Sequence, residues 1–130
     1  MNIYFVVGGL VGTLGGLAHA TLGHRWTVAP MKPESLQSDQ FSGAQNQALL
    51  MWFWHIGSAV LISASGLFLL QGLNLVLLSQ DLLIYLSFLW LSVTAIFLIV
   101  CSVLSVRLTS IVPGLVGIPI NALLLLGLFA

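Results

Sequence analysis

The chain has 130 residues, 59% of them hydrophobic and 5% charged, with a mean hydropathy of +1.14 and no net charge; soluble domains carry about 25% charged residues, so these proportions exclude an ordinary soluble domain and point to a lipid bilayer. Only three Lys and Arg are present, which leaves no basic patch to displace counterions from phosphates and excludes a nucleic-acid partner. The single cysteine, Cys101, excludes an intramolecular disulfide, a CxxC redox pair and a thiolate zinc cage.

Four apolar runs, about 3–22, 48–70, 81–104 and 111–129, each approach the roughly 20 residues that cross a hydrocarbon core. No basic residue precedes the first run and no polar domain follows it, so it is expected to remain in the mature protein rather than act as a secretory signal. Residues 25–47 form the only sizeable polar connection, with Pro30, Pro33 and most of the charges. Within it, Ser42 followed by Gln45 has capping-box spacing, which predicts that the second helix begins near 43. The short connections 71–80 and 105–110 predict antiparallel neighbours. The expected fold is therefore all-α: a four-helix transmembrane bundle, up-down-up-down, forming a single integral membrane domain over residues 1–130. Arg25, Lys32 and Arg107 fall on one side of this arrangement, and the positive-inside tendency makes that side cytoplasmic and both termini external. Trp26, Trp52 and Trp54 cluster at the same boundary, as an aromatic belt would.

At about 100° per residue, Gly8, Gly12, Gly15, Gly16, His19 and Gly23 project within one arc of the first helix. Small residues at such spacing admit another backbone or a flat ligand, and His19 within the stripe is expected to face the bundle interior. On the second helix, Ala48, Met51, Trp52, Ala59, Ile62 and Gly66 lie within about 60° of His55, again a face with small residues. His19, about one turn before the end of its helix, and His55, about two turns into the next, come to similar depth. His24 lies about 140° from His19 in a continuous α-helix and reaches the same site only if the helix departs from that geometry. On the third helix, Ser87, Thr94, Cys101 and Ser105 make a mildly polar stripe beside Trp90. These hydroxyls are expected to bond their own preceding carbonyls or pack on glycine, and Cys101 to act as a small buried hydrophobe. The fourth carries Pro113, Gly117 and Asn121 at four-residue spacing and Pro119 as an expected kink. Asn121 is expected to hydrogen-bond between helices.

Three readings of the histidines follow. They can be polar links between helices. They can hold a cofactor: haem b between His19 and His55 with the glycine face admitting the macrocycle, or a bare transition metal ion on His19, His55 and His24. They can also relay protons or substrate in a small homo-oligomeric transporter. Small multidrug exporters depend on a membrane glutamate, whereas Glu34, Asp39 and Asp81 are all expected in loops or at helix ends. The segment GGLVGTLGG has the glycine content of a fluoride-channel first helix without that family's other signatures, and no membrane lysine is available for a retinal. Without an acid at membrane depth no Ser-His-Asp or Cys-His constellation assembles, so catalysis is not expected.

His19, LGH at 22–24, Pro30 and WFWHIGS at 52–58 together resemble a group of small bacterial four-helix membrane proteins that carry H-x-x-L-G-E followed by W-H on the second helix. The likeness covers the first half of the chain and implies that His19 and His55 are the notable positions; here His24 stands where the group has glutamate. It implies no activity, and a place in the bacterial inner membrane. The expected role is a small non-catalytic membrane subunit with an intramembrane histidine site. The rival is a purely structural accessory subunit. Its partners would be the lipid bilayer and other membrane subunits or further copies of itself.

Overall fold

A computed structural model describes residues 1–103 and 108–130. Those residues are helical, without strands: α1 (Ile3–Ala18) continues into a π-helical segment (His19–Val28), a short 3-10 turn (Pro33–Leu36) interrupts the polar connection, and α2 (Gly43–Gly72), α3 (Gln80–Val103) and α4 (Leu108–Phe129) follow. Three stretches, Ile3–Trp26, Gly43–Gly72 and Gln80–Val100, are long and apolar enough to cross a membrane. At 1.5 Å per residue the 30 residues of α2 exceed the roughly 30 Å of hydrocarbon, so its Gln45–Gln47 start lies beyond lipid when the helix spans. α4 begins at Leu108, inside the expected 105–110 connection. Ser105 and Arg107 lie outside the described residues, as do the side chains of Cys101 and Pro113.

Leu10, Leu14, Phe53, Phe88, Ile96, Ile99 and Leu126 are exposed, while Ser58, Ser65, Ser87, Thr94 and Asn121 are buried. That inversion suits helices whose outer faces meet lipid: association there relies on close approach and interhelical hydrogen bonds rather than on hiding apolar surface. The described residues group into two compact units, one of Met1–Thr13 with Ser63–Ala130 and one of Leu14–Ile62.

In the first unit Asn2 organises the start of α1. Its side-chain oxygen accepts from Phe5 N (3.2 Å), its amide donates to the Gly127 carbonyl (2.8 Å), and its backbone N donates to Gly72 O (3.0 Å). Phe5 packs on Phe68 with ring centroids 5.1 Å apart. Buried polar links follow: Trp90 Nε1 donates to Ser65 Oγ (3.1 Å), and Asn121 Nδ2 donates both to Thr94 Oγ1 (2.9 Å) and to Gly117 O (2.8 Å). Asn121 is thus an interhelical link, as expected, and Ser87 Oγ donates to Leu83 O (2.9 Å) as a third-helix hydroxyl should. α4 runs without interruption through Pro119.

Glycine decides where backbones meet. A Cβ on Gly9 would stand 2.5 Å from Leu69 N and 2.7 Å from Ser65 O, and one on Gly72 2.7 Å from Val6 N. Gly12 faces Ser65 and Trp90, and Gly8 faces Leu123 and Leu124. In the second unit the capping box forms in both directions, Ser42 N donating to Gln45 Oε1 (2.9 Å) and Gln45 N to Ser42 Oγ (3.3 Å), so α2 starts at Gly43 as its sequence predicts. Gly16 lies against Ile62, whereas Gly15 meets nothing within 4 Å despite sharing the predicted arc. Gly9→Ala is therefore expected to destabilise the protein by about 1–3 kcal/mol and Gly15→Ala to leave stability unchanged or slightly raised, read from unfolding of the purified variants in detergent.

Candidate functional site

All three histidines belong to the Leu14–Ile62 unit. Contacts between its two helical arms occur in opposite chain directions: Gly16 with Ile62, His19 with Ser58, Gly23 with Trp54, His24 with His55, and Met31 O accepting from Gln47 Nε2 at 2.8 Å. His19 and His55 therefore come to neighbouring levels, as their depths predict. The ring in contact with His55 is that of His24, and the His19 ring bonds Ser58.

The reason is the π-helical segment. Its i→i+5 bonding is explicit at the far end, where Ala29 N donates to His24 O at 2.9 Å. Bonds to the fifth residue widen the turn, so His24 comes round towards the side that His19 occupies instead of standing about 140° away. At the near end Trp54 Nε1 donates to the His19 carbonyl at 3.0 Å, an outside donor inserted where the register changes, which is an identifiable cause of helix irregularity. Gly23 makes room for that indole, since a Cβ there would lie 2.6 Å from Trp54 Cζ2.

His19 is consequently held on two sides. Its ring stacks on Trp54 with centroids 4.1 Å apart and planes 6° from parallel, and its Nδ1 shares a 2.8 Å hydrogen bond with Ser58 Oγ. Ser58 Oγ also donates to Trp54 O at 2.9 Å, which makes His19 Nδ1 the donor when that proton is in place. Trp54 is therefore half-buried and turned inwards; of the three tryptophans expected in a boundary belt, only Trp26 and Trp52 are exposed. The His55 face is likewise displaced from expectation. Ala48, Met51, Trp52, His55 and Ala59 are exposed, and the buried line of α2 passes through Ser58, Ser65 and Phe68.

His24 and His55 form the second pair, with ring centroids 5.0 Å apart and an interplanar angle of 33°. His24 Nδ1 is buried without a hydrogen-bond partner among the described residues. Such an atom costs about 1–3 kcal/mol when left unmade, and a native structure that keeps one calls for an ion, a water or a functional role. With metal–nitrogen distances of about 2.0 Å, two imidazoles on one tetrahedral centre place their centroids about 5 Å apart. The 5.0 Å spacing is compatible with a shared ion and is equally an ordinary distance for two rings in contact. The glycine face expected to admit a macrocycle is filled at Gly8, Gly12, Gly16 and Gly23 by leucine, serine, tryptophan and isoleucine side chains. Among the described residues no three His, Cys, Asp or Glu side chains come together as a metal-binding group, so the triad His19, His24 and His55 does not assemble here.

Trp54 and Ser58 are residues of the site to which the histidine spacing does not point. The available signal was Ser58 four residues after Trp54, one turn along the same helix face, opposite a histidine on a glycine-bearing helix. Compared with known proteins, the chain matches no family model, no curated protein and no solved structure.

Ser58→Ala leaves His19 Nδ1 without its partner. It is expected to lower stability by about 0.6 kcal/mol, and by no more than about 1.7, while the purified variant keeps its helical circular dichroism.

Proposed function

We propose that this protein is a small, non-catalytic integral membrane subunit that holds an exchangeable transition metal ion on His24 and His55, at one end of its first two spans. The observation that carries the reading is the buried, unpartnered Nδ1 of His24 beside the His55 ring. Imidazole suits zinc, copper, iron and nickel, and two protein ligands leave further positions open for an incoming donor. His19 is the positioning residue: its bond to Ser58, its stack on Trp54 and the Trp54–carbonyl bond fix the π register that orients His24. The likeness to the H-x-x-L-G-E and W-H proteins supports the same stretch of chain.

On this reading the subunit lies in a bacterial inner membrane as an up-down-up-down four-helix bundle; the distribution of Arg25, Lys32 and Arg107 along the sequence supports a cytoplasmic side for them and external termini. The histidine end then lies towards the cytoplasm. Its partners are the bilayer and a larger membrane assembly. The exposed imidazole of His55 favours this metal site over a purely structural role, because a histidine serving only to bind helices together would be expected to lie between them.

The test is elemental analysis and cobalt(II) titration of purified protein in mild detergent, followed by the cobalt ligand-field bands. One ion per chain is expected, lost in His24→Ala and in His55→Ala and weakened about 10–100-fold in His19→Ala. Folded wild-type protein that binds no cobalt, zinc or copper overturns the proposal.

A further inference from the structure

Resting on that metal-site reading, we infer that the ion is monovalent copper and that the Met51 thioether completes its ligand set with His24 and His55. Met51 is one helical turn from His55 on α2, and residues four apart on a helix are surface neighbours, about 5–6 Å between Cβ atoms. Its direction along α2 is the relevant one. Contacts between the arms pass from His24–His55 to Met31–Gln47, so residue 51 lies on the stretch of α2 between those two levels. Met51 is 38% exposed, so its side chain is not committed to a packed core, and its three flexible torsions let the sulfur adapt to a nearby ion.

Donor chemistry narrows the metal. Hard ions require oxygen ligands, yet the unit's two acids, Glu34 and Asp39, are exposed in the polar connection, and Asp81 belongs to the first turn of α3. Two imidazoles and a thioether form a neutral, soft set. Such a set selects copper(I) over zinc(II), cobalt(II) and nickel(II), which gain less from sulfur of this kind. With a neutral set the site keeps the full charge of its ion, and a monovalent ion then leaves a single positive charge next to hydrocarbon where a divalent ion would leave two.

The test uses the full chain in detergent under anaerobic, reducing conditions, with copper(I) supplied against a chromophoric copper(I) chelator and cobalt(II) titrated separately. Wild-type protein is expected to hold one copper(I) per chain, with a sulfur shell in the copper K-edge spectrum. Met51→Leu, a volume-conserving change, is expected to lose at least about tenfold in copper(I) affinity and the sulfur shell. Its cobalt(II) binding should stay at the wild-type value. Unchanged copper(I) affinity in Met51→Leu, or cobalt(II) binding by wild-type protein without copper(I) binding, overturns the thioether and the copper assignment while the histidine site stands. Folded wild-type protein that takes up neither ion removes both proposals together.

Discussion

Two helices in hydrocarbon gain nothing by pressing leucine against leucine, because the lipid they leave is equally apolar. Among the described residues, close approach and a few polar links therefore stand beside the packing of Phe5 on Phe68. Close approach is achieved at Gly9, Gly16 and Gly72, where a single added carbon would collide with the neighbouring helix. Direction is supplied by a few hydrogen bonds spaced along the spans: Asn2 to Gly127, Trp90 to Ser65, Asn121 to Thr94 and Trp54 to His19. Each is worth only about 0.6 kcal/mol on average, so specificity lies in their arrangement rather than in any one of them.

The histidine end shows the same economy applied to a site. One indole supplies a stacking face for His19, a donor for its carbonyl and an edge that fits only beside glycine at residue 23. These contacts accompany a helical register that ordinary propensity would not select, and that register brings His24 against His55. Local backbone irregularity and the placement of His24 are therefore one feature. The π geometry accounts for two histidines five residues apart serving the same helix pair in different roles, one bonded to a hydroxyl and one left with a vacant nitrogen.

Much of this was legible in the sequence where the signal is local. The start of α2 follows from Ser42 and Gln45 because a capping box is defined by two side chains three residues apart. Asn121 was readable because a membrane amide must find a partner, and Ser87 because its own helix offers a carbonyl four residues back. The inward face of α2 was not readable. In a membrane helix both faces are apolar, so periodicity gives little contrast, and His55 drew the expected face about one residue away from the buried line through Ser58. α-Helical angles put His24 about 140° from His19, and nothing local announces that Trp54 will meet the His19 carbonyl and accompany a change of register. Gly9 escaped the glycine stripe for a related reason: which glycine meets backbone is set by the partner helix, not by its own spacing.

The parallel stack of Trp54 on His19, 4.1 Å between centroids, has a photophysical consequence. Indole emission responds to charge and hydrogen bonding at the ring, and a protonated imidazole over its face would be a cation–π contact. Trp26 and Trp52 stand exposed, and Trp90 is buried with its N–H on Ser65. Trp54 is thus an intrinsic fluorophore wired to the histidine end, and in a chain that keeps it as the sole tryptophan its lifetime would register changes in the His19 ring without an added label.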